Sequence, residues 1–196
     1  EERGNAFVDE ITSNGGTAIF MKTDCTKGEA IKATVDAAAE KFGQINLLFN
    51  IATVMGYEQG LFCDITEEIF DKEITINLKC HYHFLRFTIP YMIKNGGGTI
   101  VCFSSAAARA GDLGATIYGA AKAGVEVMVK CIATQYGKFG IRINCVRPGV
   151  MWKEEFLERA KQPGSPSAVH LKVFEDNNFV TRFGVGKDGA KVALFF

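Results

Sequence analysis

Several features are missing from this 196-residue chain, and each absence removes a class of function. Basic and acidic side chains balance at 22 each, so there is no net charge. Without a basic excess, a polyanionic partner such as nucleic acid is not expected. No apolar run approaches the roughly 18 residues of a membrane span, and no basic-then-apolar stretch opens the chain, so neither a membrane nor a secretory address is expected. Three histidines are present, and none has metal-ligand spacing. His81 and His83 are two apart on a helix and point different ways, and His170 is alone in a loop. Six scattered cysteines include no C-x-x-C pair and read as reduced thiols of a cytoplasmic protein.

What is present suits one domain with a core: 47% hydrophobic and 22% charged residues, with no internal repeat and no linker. Glu1 to Asn14 reads as a helix ended by Gly15-Gly16, and TAIFMKTD as a strand beginning at Thr17–Met21. Lys27 to Phe42 places Ile31, Val35, Ala38 and Phe42 at helical spacing before Gly43. Asn46 to Ile51 is a short apolar strand. Thr66 is a cap, with Glu67 and Glu68 in the first turn, for a long helix to about Lys94. Strands follow at Thr99–Phe103 and Ile141–Val146, with a helix from Thr116 between them. This alternation implies an α/β fold, a doubly wound parallel sheet in three layers.

The stretch from Thr99 to Lys122 organises the rest. Ser105 follows a buried strand, and Tyr118 and Lys122 lie one turn apart on one helix face. An ammonium beside a phenol favours the phenolate. Serine, tyrosine and lysine converging at a strand's carboxyl end suit protonation or deprotonation of a carbonyl or alcohol oxygen.

With these motifs the chain resembles the short-chain dehydrogenase/reductase family over nearly its whole length. Ser105, Tyr118 and Lys122 match the family triad, Asn77 in ITINLKC its additional catalytic asparagine, and Asn144 to Gly149 its N-x-x-x-PG segment. The resemblance implies a Rossmann-like domain over 1–196 and an oxidoreductase transferring a hydride between NAD or NADP and a carbonyl or alcohol substrate. Tyr118 is implied as general acid or base, Lys122 as holder of the nicotinamide ribose, Ser105 as donor to the substrate oxygen, and Asn77 as holder of a relay water. Asp24 and Cys25 are placed at the adenine, Asn50, Ile51 and Ala52 beneath the adenine ribose, and Pro148, Gly149 and Val150 beneath the nicotinamide.

Residues 151–183 read as a substrate-loop or lid insertion, with Trp152, Phe156 and Leu157 as an apolar wall; a surface loop is the alternative. The apolar Tyr118 helix implies a homodimer or homotetramer, unless the neighbouring long helix covers it. Thr53 stands where the family has glycine, and Lys153 where it has a carboxamide-binding threonine. The glycine-rich T-G-x-x-x-G-x-G turn and the last strand have no counterpart, so the sheet is expected to be incomplete. Two functional readings remain at this level: a partial dehydrogenase, or an inactive relative serving as a dimerisation or binding module.

Overall fold

Alternation along the central strand sets the architecture. In the computed structural model, which describes residues 1–54, 61–111, 115–149, 151, 158, 160–162, 165, 172, 176 and 184–196, β2 (Gly98–Phe103) lies between β1 (Leu47–Asn50) and β3 (Ile141–Val146). The three strands are parallel, in the order β1-β2-β3. Register puts Leu48, Ile100 and Ile143 side by side, then Asn50, Cys102 and Cys145. With a two-residue period these side chains share one face.

Parallel neighbours must be joined by crossovers, and helices supply them. β1 leads to β2 through α3 (Glu67–Ile74), a π-helical turn (Thr75–Lys79) and α4 (Cys80–Lys94); β2 leads to β3 through α5 (Thr116–Tyr136). α2 (Gly28–Phe42) packs along α4. Leu85, Ile89 and Met92 from α4 and Val125 and Val129 from α5 close on Ile100, Cys102, Ile141 and Ile143 to form the core. This is the Rossmann-like α/β arrangement expected from the sequence. The caps are also as expected. Thr66 Oγ1 accepts from Ile69 N at 3.3 Å, and Gly43 ends α2 at φ 76°. After α4, Gly97 sits at φ 138°, where an added Cβ would meet the Gly140 carbonyl oxygen at 2.6 Å.

One element needs correction. Thr17–Met21 is extended coil, not the expected strand, and Ile19, Phe20 and Met21 are exposed. A strand persists where a neighbour satisfies its N–H and C=O groups, and none of the three strands reaches this segment. α1 (Glu2–Ser13) forms as expected but buries no residue, leaving Phe7 and Ile11 in solvent. Phe42, at a core-facing position by spacing, is also exposed. On the sheet's second face α6 (Gly186–Phe195) approaches β3, with Gly189 set against Phe103 and Met151. Among the described residues no helix is long and apolar enough to cross a membrane, and no group of histidine, cysteine or acidic side chains could hold a metal ion.

Candidate active site

The site is built where β2 and β3 end. Past the last ladder pair, Ser104 N donates to Val146 O at 2.8 Å and Ala106 N to Pro148 O at 2.9 Å. These bonds tie the serine segment to the Pro148-Gly149 loop. Ser105 is half-buried and extended, and its Oγ accepts from Ala107 N at 3.3 Å, starting a short 3-10 turn (Ala106–Ala108). α5 presses on that turn: a Cβ on Gly119 would come within 2.7 Å of Ala107 O. The absent side chain lets the helix end bearing Tyr118 reach the loop bearing Ser105.

Tyr118 and Lys122 both lie on the buried side of α5, at 7% and 1% exposure. Lys122 Nζ donates to Phe103 O at 3.1 Å and stands 5.8 Å from the Tyr118 ring centroid. Burial pushes the ammonium pKa down to about 8, opposed by the nearby thiols of Cys145, Cys102 and Cys80. The group nevertheless keeps its charge at neutral pH.

Asn77 falls in the π-helical turn, a local widening that recurs at functional sites. It is fully buried and pins the loop after β1. Its Oδ1 accepts from Thr53 Oγ1 at 2.8 Å and from Val54 N at 3.1 Å, and its Nδ2 donates to Glu73 Oε2 at 2.6 Å. Thr53, in place of the family glycine, thus gives this network a hydroxyl. One turn on, buried His81 donates from Nε2 to Ala52 O at 3.0 Å. Desolvation, and then the Lys122 charge, hold its pKa down to about 4, so the ring is neutral. Among the described residues its buried Nδ1 has no hydrogen-bond partner, nor has Asn50 Nδ2 at the end of β1.

The structure therefore gathers Ser105, Tyr118, Lys122 and Pro148 into one cluster, and Asn50, Ala52 and Asn77 into a second beside it. Ile51 and Gly149 are exposed. Asp24 lies in the turn before α2. Its Oδ1 accepts from Thr26 N and Oγ1 at 3.0 and 2.6 Å, and the Thr26 bonds hold its carboxyl below the usual range. Cys25 follows it, half-buried. Val150, Trp152, Lys153, Phe156 and Leu157 lie outside the described residues.

Two participants were missed by sequence reasoning. His81 is four residues past Asn77, the spacing that puts both on one helix face. Glu126 continues the Tyr118–Lys122 row by one more turn onto an apolar face and is 6% exposed. Its carboxylate accepts from Ser104 Oγ at 2.8 Å, Arg109 Nε at 3.2 Å, and Arg147 Nε and Nη2 at 2.6 and 2.7 Å. Arg147 above all, with Ser104 and Arg109, draws its pKa down to about 2.

Comparison with known proteins gives the family. The family model for short chain dehydrogenases matches residues 1–162. The chain belongs to the short-chain dehydrogenase family. An uncharacterized oxidoreductase of Thermotoga maritima is 32% identical over 197 residues, spanning 100% of this chain and 76% of its own. The 3-oxoacyl-(acyl-carrier-protein) reductase of Chlamydia pneumoniae is 32% identical over 195 residues, covering 100% of this chain and 75% of its own. Among solved structures, a 7α-hydroxysteroid dehydrogenase complexed with NADH and 7-oxo glycochenodeoxycholic acid superposes at TM-score 0.86 and 29% identity, over 99% of this chain and 72% of that one. As a short-chain dehydrogenase the chain is an oxidoreductase by family, and its fold is that of the family.

Proposed function

We propose that this chain carries the catalytic cluster of an NAD- or NADP-dependent dehydrogenase/reductase acting on a small carbonyl or alcohol. The observation that carries this reading is the buried Tyr118–Lys122 pair, brought against the Ser105 turn by the close approach at Gly119. When bound, the nicotinamide ring supplies or accepts the hydride. Tyr118 gives the proton to the nascent alkoxide in reduction and takes it in oxidation. Lys122 keeps a positive charge beneath the phenol, and Ser105 hydrogen-bonds the substrate oxygen. Asn77 holds the β1 end loop in place and, through the π-helical turn, the relay water.

The donor set fits a nicotinamide dinucleotide. Asn50 Nδ2 is a buried donor without a partner among the described residues, at the carboxyl end of β1, where an open parallel sheet binds its ligand. NADH accompanies the steroid dehydrogenase described above. The relatives are named for a 3-oxoacyl-(acyl-carrier-protein) and for a hydroxysteroid, so the fold alone does not select the substrate. Asp24, Cys25, Ile51, Ala52, Pro148, Gly149 and Val150 complete the proposed cofactor contacts.

The segment 151–183, read from the sequence as a lid, lies mostly outside the described residues. Met151 and Gly184 form a parallel bridge, so it leaves and rejoins the fold at neighbouring points beyond β3. A second copy of the chain seats on the apolar groove between α4 and α5, about 650 Å³ and lined by Leu85, Ile89, Met128 and Ile132 among others.

Titrating NADH and NADPH into the purified chain tests the cofactor assignment. Quenched nicotinamide fluorescence with a saturating dependence is the expected result; no change with either is what a binding module predicts. A second test concerns the approach of α5. Gly119→Ala forces the Ala107 carbonyl aside, because backbone cannot swing away as a side chain would. A displacement near 1 Å costs up to ~10²-fold in rate. Turnover should fall by at least tenfold with the far-UV circular dichroism unchanged; an unaltered rate would detach the Ser105 turn from the mechanism.

A further inference from the structure

His81 is a buried titratable group that the reaction steps proposed above do not use. It has no exposed surface and sits at the start of α4, four residues past Asn77 on the same helix face. Between them the two side chains hold three consecutive residues of the loop after β1. Asn77 Oδ1 accepts from Thr53 Oγ1 and Val54 N, and Asn77 Nδ2 is committed to Glu73 Oε2. His81 Nε2 meets the Ala52 carbonyl of the same loop at 3.0 Å. A carbonyl oxygen only accepts, so this bond assigns the proton of the neutral ring to Nε2 and leaves Nδ1 bare. The surroundings agree: among the described residues the buried Nδ1 has no hydrogen-bond partner. Desolvation and the Lys122 charge keep the ring neutral. Histidine thus brings a donor to core depth without adding a second cation near the Lys122 ammonium. An aliphatic side chain of similar size would fill the space and leave the Ala52 oxygen without that donor.

We propose that His81 is a positioning residue that fixes the loop after β1 in the form that receives the cofactor. The inference rests on the nicotinamide dinucleotide reading above, in which Asn50, Ile51 and Ala52 lie beneath the adenine ribose. The bond from Nε2 sets the plane of the Ala52–Thr53 peptide, and Asn77 sets the next plane through Val54 N. A peptide unit is planar, so fixing two in succession leaves the backbone one course out of β1. That course begins at Asn50, at the end of the sheet where a ligand binds. Without the His81 bond, cofactor must order the loop as it binds. The apparent affinity then falls by the fraction of molecules already holding the loop in place. Tyr118, Lys122 and Ser105 belong to α5 and to the turn after β2, so the effect falls on cofactor affinity rather than on proton transfer.

The parent chain, His81→Leu and His81→Gln are compared. Leucine fills the site without a donor, whereas the glutamine amide carries an N–H to the same carbonyl. Imidazole nitrogen NMR of the parent should show His81 as the neutral Nε2–H tautomer at neutral pH. Amide hydrogen exchange over residues 51–54 should be faster in His81→Leu than in the parent and return to the parent rate in His81→Gln. The NADH dissociation constant, from fluorescence quenching, should rise about five- to tenfold in His81→Leu and recover to within about twofold in His81→Gln. An Nδ1–H tautomer, or the same exchange in all three chains, would overturn the proposal. So would an unchanged dissociation constant in His81→Leu, or a loss shared equally by both variants, which marks a side chain that only fills space. A parent chain that quenches neither NADH nor NADPH would remove the cofactor reading and the cofactor half of this proposal with it. The tautomer and the exchange rates would still decide separately whether His81 holds the loop.

Discussion

Tyr118→Phe should abolish turnover while NADH still binds. The substitution removes a hydroxyl and retains the ring, which is 7% exposed and packed at the start of α5. Lys122 keeps its bond to Phe103 O, so the ammonium and helix register stay in place. What is lost is the proton donor to an oxygen whose charge grows in the transition state. A positioned acid or base is worth ~10²–10⁴-fold, so kcat should fall by about that factor. The dissociation constant for NADH, read from fluorescence quenching, should change little, because the phenol contributes chemistry rather than affinity. The split between the two quantities is the diagnostic part. A variant with near-normal kcat would remove Tyr118 from the reaction. Loss of NADH binding together with turnover would recast it as a structural residue.

The parts of the site that could be read from the chain are local ones. Tyr118 and Lys122 are four residues apart, and helical periodicity alone puts them together. The caps at Thr66 and Gly43 are also nearest-neighbour chemistry, and both occur as expected. Thr17–Met21 failed for a non-local reason. Its composition is that of a strand, but pairing depends on backbone groups elsewhere, and none of the described strands meets it. Asn77 was identified by motif, yet its partners Thr53 and Val54 lie 24 and 23 residues away, and no spacing rule points to them. Glu126 was missed because its partners come from two separate connections, the one after β2 and the one after β3. An acid on an apolar helix face was the available signal, since burying a carboxylate requires partners.

Removing the Glu126 carboxylate should be the most costly single change to stability near the site. It receives four hydrogen bonds, and three come from guanidinium groups at the two loops flanking the triad. Breaking a fully buried ion pair costs ~3–5 kcal/mol. Here the Arg109 and Arg147 side chains are 59% and 42% exposed, so water reaches them when the carboxylate is gone. Ser104 Oγ retains Lys122 O as an acceptor at 3.2 Å. The expected loss for Glu126→Gln is therefore below that range, about 2 kcal/mol by urea denaturation at neutral pH. The pH dependence has a definite sign. The folded pKa, about 2, lies below the ordinary 4.5, so the stabilisation is complete above 4.5 and is lost as pH falls from there toward about 2. The difference between the parent chain and Glu126→Gln should thus hold steady near neutrality and shrink across that acid window. Arg147→Met should remove most of the same increment, with a double-mutant coupling that identifies the pair. A difference independent of pH, or additive single changes, would mean that the carboxylate fills space without joining the two loops.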